Sequence, residues 1–352
     1  MNLRMAPAMD PVTHLQIEPT TRCNFTCGFC CGRQMTQTDL SLATFERALA
    51  AFPKLQQLEL QGEGEPLMNP HFFDMLRLAR GRGIAVSFIT NGSLLSPDAV
   101  RQILDAGVEK ISVSLESADA TAFREIRGGK LEKVQAGIER LLSDRKARGM
   151  QRPVVGFSVT VLRRTRGHLA GILALYRSLG LDGGITLQPL QRMGGYTQSY
   201  TDDMLDQMLS DAEADEVWVQ LRSNRDIRRI QADRASNAGF HDHLMAGWMP
   251  SQRRCPWLER GLYVDRDGYA TACCMIKDRG QALGQLGVDA PETILARRDE
   301  LRSQLRAGTI PTPCAGCELA RFAVMSKLGL VRFAVAGVTN RLRSRSLPVV
   351  QP

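Results

Sequence analysis

Seven cysteines could do chemistry in this sequence, and they fall into two sets. Cys23, Cys27 and Cys30 form a Cys-x3-Cys-x2-Cys run. Three thiolates at that spacing sit in one loop, tight enough to wrap a cubane iron–sulfur cluster, whose irons prefer sulfur ligands. Three ligands leave one iron of four without a protein donor, and a metal with an open position is where reactions occur. The second set is Cys255-x12-Gly268-x4-Cys273, followed by Cys314-x2-Cys317. Four cysteines can ligate a cluster completely. Such a cluster cannot chelate a substrate but can accept or relay an electron, at a potential set by hydrogen bonding and burial. Zinc is the competing reading. The first run lacks a fourth His or Cys at knuckle spacing, and Cys31, adjacent to Cys30, is geometrically poor as a ligand. Four cysteines in two pairs also describe a zinc ribbon, so zinc stays open at the second set.

Other motifs recur in chain order after the first run. Gly62-Glu63-Gly64-Glu65-Pro66 is a Gly-rich turn, and Thr90-Asn91-Gly92 is a second turn signal. Ser112-Val113-Ser114-Leu115-Glu116 is followed by Ile126-Arg127-Gly128. An arginine suits a carboxylate partner because its fork gives paired, charge-assisted hydrogen bonds, although a surface ion pair is the plainer reading of Arg127.

The order and spacing of these motifs, with the aromatic Phe29 before the last cysteine of the run, resemble the radical S-adenosylmethionine (SAM) superfamily over roughly residues 13–190. The resemblance implies that Cys23, Cys27 and Cys30 hold a [4Fe-4S] cluster whose open iron takes the amino and carboxylate groups of SAM. It implies that Phe29 lies near the adenine and that Gly64, Glu65 and Pro66 fix the SAM amino group. Glu63 stands where the family's motif has its first glycine. Asn91 is expected to give a polar contact to SAM, Ser114 to touch the ribose and Arg127 the carboxylate. Glu116 replaces a frequent aspartate. The resemblance also implies an external electron donor such as flavodoxin or ferredoxin.

The second set resembles the SPASM/Twitch extensions of the same superfamily. No cysteine follows Cys317 and Ala323 occupies the next expected position, so the shorter Twitch form with one auxiliary [4Fe-4S] cluster is the better match. In that respect the chain resembles radical SAM dehydrogenases acting on aminocyclitols. The implied activity is reductive cleavage of SAM to a 5′-deoxyadenosyl radical and abstraction of a substrate hydrogen, for oxidative modification of a peptide or a small metabolite. The alternatives are an amino-sugar or aminocyclitol dehydrogenase and, from another class, a non-catalytic zinc or electron-transfer protein. No leader-binding domain is evident before the first strand, so a peptide substrate would call for a separate partner.

The elements that must position these residues are legible from hydrophobic periodicity. Strands are expected over residues 13–18, 56–61, 84–90, 110–115, 154–162 and 184–190, each followed by a helical pattern. Asn69-Pro70 and Ser96-Pro97 read as helix starts, and Gly83, Gly107 and Gly180 as helix ends. Strict alternation argues for a parallel sheet with right-handed crossovers, whose ligands sit at the strand C-terminal ends. The expected architecture is α/β: a partial (β/α)6 TIM-type barrel over residues 1–190, a bridging segment over 191–250, a small α+β auxiliary cluster domain over 251–320 and a basic tail over 321–352. A helix is expected over residues 202–221, with Asp202 and Asp203 at its N-terminus. A hairpin is expected from 261–264 through a turn at Gly268 to 269–275, and a helix over 294–305.

Composition bounds the rest. The chain has 352 residues, enough for a barrel with an appendage. No signal-peptide pattern and no run of about 20 apolar residues occurs, so a cytoplasmic location without a membrane span is expected. Nine cysteines in a reducing compartment point to metal binding or redox chemistry rather than disulfides. A formal charge of +8, lowered by thiolate ligation, gives no argument for nucleic acid. Cys31 and Cys274 read as small buried residues beside a cluster. Tyr196 and Tyr200 are candidates to line a substrate cavity. His241 and His243 read as surface or structural. The tail from Arg321 to Arg345 reads as an amphipathic helix with a solvated basic face.

Overall fold

In a computed structural model, residues 10–214, 216, 217, 251–326 and 329 are described. His241, His243 and the tail beyond residue 329 lie outside them. Six strands form in the expected places: β1 (His14–Ile17), β2 (Gln57–Leu60), β3 (Ala85–Thr90), β4 (Lys110–Ser114), β5 (Val154–Val161) and β6 (Ile185–Pro189). Between them lie α1 (Leu42–Ala51), α2 (Phe72–Gly81), α3 (Pro97–Ala106), α4 (Ala120–Arg127), α5 (Leu131–Ala147) and α6 (Leu169–Ser178). All six strands pair in parallel in the order β6-β5-β4-β3-β2-β1. This is the partial-barrel architecture. Alternation divides each strand. Leu15, Ile17, Leu58, Leu60, Val86, Phe88, Ile111, Val113, Val155 and Phe157 are buried beneath the helices. Gln16, Glu59, Ser87 and Ser112 point to the other face and make a polar barrel interior.

Helix ends follow local chemistry. Ser96 caps α3, accepting from the Ala99 N–H at 3.2 Å, with Pro97 in the first turn. The expected start at Asn69-Pro70 is corrected, because α2 begins at Phe72. The Asn69 side chain is used elsewhere. It donates to the Pro19 and Leu40 carbonyls at 2.6 and 3.1 Å and accepts from the His71 N–H at 2.7 Å, tying the segment after β2 to both flanks of the cysteine loop.

After β6 come α7 (Gly194–Thr197) and α8 (Asp202–Asp206). The single helix expected over 202–221 is interrupted. Arg163 takes the backbone carbonyls of residues 206, 207 and 208, and Ser210 and Glu213 form a reciprocal cap that starts a new helix at residue 211.

Then follow α9 (Pro256–Arg260), β7 (Gly261–Val264), β8 (Tyr269–Thr271), β9 (Gly284–Gln285), α10 (Pro291–Ala307) and α11 (Glu318–Val324). The hairpin turn is closed by Gly268 at φ +85°, as its position requires. Strand β8 stops at Thr271 rather than reaching residue 275. The Thr271 hydroxyl donates to the Cys273 carbonyl at 2.9 Å and turns the chain there. The expected helix over 294–305 is longer by a turn at its start, where Pro291 takes the first position. β7 pairs in parallel with β1, so the hairpin extends the barrel sheet into one nine-stranded sheet. Among the described residues no helix is long and apolar enough to cross a membrane.

Candidate active site

The cysteine loop leaves the end of β1 and is clamped to the end of β2. The Gly64 N–H donates to the Thr20 carbonyl at 3.1 Å and the Glu65 N–H to the Arg22 carbonyl at 2.8 Å. A Cβ on Gly64 would lie 2.4 Å from the Thr20 oxygen and 2.6 Å from the Arg22 oxygen, so only glycine permits this contact. On the other side, the Thr26 N–H donates to the Arg127 carbonyl at 2.9 Å, fixing the loop to the end of α4.

Cys23, Cys27 and Cys30 line one cavity of about 210 Å³ at the C-terminal ends of the strands. Phe29, Gly64, Glu65, Asn91, Ser114 and Arg127 line the same cavity. Pro66 is buried behind it, opening a short 3-10 turn, and Glu116 is buried beside Arg127. N–H groups face two of the sulfurs: Phe25 N at 3.4 Å from Cys23 Sγ and Arg127 Nη1 at 3.8 Å from Cys27 Sγ. Such donors suit thiolates. Burial, opposed by the Arg127 charge, pushes the Cys27 thiol up to about 11, so loading a metal must displace its proton.

Glu65 holds the rim together. Its Oε1 accepts from the Thr90 hydroxyl at 2.7 Å and its Oε2 from the Asn91 N–H at 2.7 Å. Burial raises its carboxyl to about 7 despite these bonds. Asn91 donates to Asn24 Oδ1 at 2.8 Å and accepts from Ser93, so it braces the loop from below. Glu116 is the ion-pair partner of Arg127 through Nε and Nη2, the latter at 2.6 Å from Oε1. Burial opposes the guanidinium charge, but Glu116 outweighs it and holds Arg127 firmly cationic. Arg127 is thus buried and oriented rather than a surface ion pair, with its guanidinium 5.8 Å from the Phe29 ring centroid.

Several cavity residues carry no motif. Glu63, the departure from the family pattern, pairs with Lys277 at 2.6 Å and accepts from the Tyr196 hydroxyl at 2.8 Å. Burial opposes ionisation of Glu63, but the Lys277 charge and the donated bonds outweigh it and hold the carboxyl low. Lys277 also lies 5.4 and 5.1 Å from the ring centroids of Tyr196 and Tyr263. Glu63, Tyr196 and Lys277 come from the β2 end, α7 and the loop after β8. In the sequence, Glu63 stood out as the departure from the motif and Tyr196 as a candidate cavity residue, whereas nothing marked Lys277. Tyr196 and Tyr200 do line the cavity. Cys31 is buried beside it without lining it, whereas Cys274 lines it.

Cys255, Cys273, Cys314 and Cys317 line a second cavity, of about 450 Å³, with mainly apolar neighbours such as Trp257 and Leu258. Burial pushes the Cys255 and Cys314 thiols up to about 12, with the neighbouring thiols adding to it. Among the described residues no three His, Cys, Asp or Glu side chains converge as the ligands of a single ion would. The two cavities share a wall that includes Gln188–Gln191, Cys274 and Met275.

Comparison with known proteins agrees with this geometry. Residues 17–175 match the radical SAM superfamily. The tungsten-containing aldehyde ferredoxin oxidoreductase cofactor-modifying protein of Pyrococcus furiosus is 29% identical over 48% of this chain and 49% of its own. The GTP 3′,8-cyclase of Rhizobium meliloti is 35% identical over 39% of this chain and 44% of its own. These matches span about half the length of the curated relatives or less. Among solved structures, SuiB of Streptococcus suis bound to its precursor peptide SuiA superposes with a TM-score of 0.64 at 14% identity, covering 89% of this chain and 71% of that one. The anSMEcpe protein with bound AdoMet superposes with a TM-score of 0.63 at 13% identity, covering 95% of this chain and 100% of that one. By the matched segment and the motifs within it, residues 17–175 are a radical SAM domain.

Proposed function

We propose that this chain is a radical SAM enzyme that removes a hydrogen atom from a peptide or a small metabolite and completes an oxidative modification of it in the cytoplasm. The observation that carries the reading is the convergence of three thiols on one cavity whose rim is built by Gly64, Glu65, Asn91, Ser114 and Arg127. Cys23, Cys27 and Cys30 would hold a [4Fe-4S] cluster. When bound with SAM and reduced by a flavodoxin or ferredoxin, that pair supplies a 5′-deoxyadenosyl radical. The chain's own residues bind and orient. Phe29 offers a face to the adenine, the Gly64 carbonyl and Glu65 accept from the SAM ammonium, Asn91 and Ser114 give polar contacts, and Arg127, aimed by Glu116, donates to the carboxylate. The hydrophobic residues behind Tyr196 and Tyr200 exclude water from one side.

Residues 251–320 serve as the auxiliary unit, with Cys255, Cys273, Cys314 and Cys317 around a second, fully ligated [4Fe-4S] cluster. Its place behind a shared wall suits removal of the second electron of a two-electron oxidation. An aminocyclitol or amino-sugar dehydrogenase is the reading that a single auxiliary cluster favours within this class. Metal analysis after anaerobic reconstitution tests the assignment. About eight irons with matching sulfide, falling to about four in Cys314→Ala/Cys317→Ala, is expected. About four irons with one zinc overturns the auxiliary redox role.

A further inference from the structure

The cavity has a floor that none of the SAM contacts uses. Gln16 on β1 is 1% exposed, yet it lines the cavity. Its Nε2 donates to the Gln61 backbone carbonyl at 3.1 Å, which fixes the direction of the amide. Its Oε1 is therefore an acceptor, and it meets no donor. The Gln61 Oε1, also at the cavity, is buried and orphaned in the same way. Buried carbonyls without donors are costly, and two in one polar pocket mark a place where a ligand completes the hydrogen bonding. Facing them are Ser158 and Thr160 of β5 and Gln188 of β6, the last two in register across the strand pair.

All five floor groups are neutral. The carboxylates around it are already engaged: Glu18 by the Glu63 N–H at 2.9 Å and by Arg266, Glu63 by Lys277 and Tyr196, and Glu59, opposite Gln16 across β1 and β2, by a partner of its own. A charged ammonium seated here would find no free anion, and a carboxylate would meet carbonyl oxygens. Resting on the radical SAM reading above, we propose that this floor is the substrate-selecting subsite. It takes an uncharged donor group, a hydroxyl or a carboxamide N–H, carried either by a polyol-type metabolite or by a peptide side chain. Gln16 and Gln61 are its specificity residues.

The test uses reconstituted holoenzyme with SAM, under anaerobic conditions, and reads binding by saturation-transfer NMR. The probes are myo-inositol, acetyl-Gly-Asn-Gly methyl ester, in which the Asn side chain is the one primary carboxamide, and its acidic counterpart acetyl-Gly-Asp-Gly methyl ester. We expect transfer to one of the two neutral probes, which then identifies the source, and none to the acidic peptide. The signal should be lost in both Gln16→Leu and Gln61→Leu, while SAM affinity stays within about twofold. Equal binding of the acidic peptide, retention of the signal in both variants, or silence of both neutral probes overturns the proposal. A drop of about tenfold or more in SAM affinity also overturns it, because the orphaned carbonyls then serve SAM itself. The variants are also assayed for 5′-deoxyadenosine released from SAM under reduction. Release without probe binding sinks the subsite alone. No SAM binding and no release in the parent protein sinks the radical SAM reading instead.

Discussion

At the scale of single residues, the Glu63–Lys277 pair offers a test that needs no substrate. Both side chains are nearly enclosed, at 12% and 9% exposure. Removing one partner of a buried pair strands the other charge and costs about 3–5 kcal/mol, whereas replacing both costs much less. Chemical denaturation should therefore show Lys277→Met strongly destabilised and Glu63→Gln/Lys277→Met largely recovered. Equal loss in single and double variants contradicts the pairing.

Glu65 gives a pH dependence. Its carboxyl sits at about 7, above its ordinary 4.5, because of burial. The folded state thus favours the protonated form, and that stability is fully present below 4.5 and lost as pH rises through 7. Accepting the SAM ammonium requires the ionised form, so SAM affinity should weaken by up to about tenfold per pH unit below 7. In Glu65→Gln the titration of affinity should flatten. An unchanged pH profile in that variant removes Glu65 from the contact.

At the scale of elements, the cysteine loop depends on close backbone approach. Gly64→Ala would drive a methyl into the Thr20 and Arg22 carbonyls, and it should cost about 1–3 kcal/mol and lower iron occupancy. Gly81→Ala, near the end of α2 with nothing within 4 Å, is the control and should be neutral or stabilising by about 0.5–1 kcal/mol. Equal iron content in the two variants contradicts the clamp.

The same elements show what the chain makes legible. Six strands were readable because each alternates or runs apolar between turn residues, and Ser96-Pro97 because its cap is local. The break near residue 207 was hidden because its cause, Arg163, lies over forty residues away, although the Ser210–Glu213 cap was present in the sequence. Asn69 misled because its side chain serves Pro19 and Leu40 rather than a helix start. Of the site, the cysteines were readable by spacing and the rim motifs by their resemblance to the radical SAM pattern. Lys277, Gln16 and Gln61 were not, because only folding brings them to the cavity.

At the scale of the whole molecule, the pairing of β7 with β1 joins the auxiliary cysteines to the barrel sheet, and the two cavities share the wall at Cys274 and Met275. On the proposed reading, that layout would separate generating a radical from receiving an electron. Disabling the second site with Cys314→Ala/Cys317→Ala should therefore spare SAM cleavage and abolish only the net oxidation. The central claim concerns the first site, and the most direct test is chromatographic detection of 5′-deoxyadenosine after anaerobic reduction of the reconstituted protein with SAM. The account predicts release by the parent protein and none by Cys27→Ala. Folded, iron-loaded protein that releases none, or Cys27→Ala releasing as much as the parent, would contradict it.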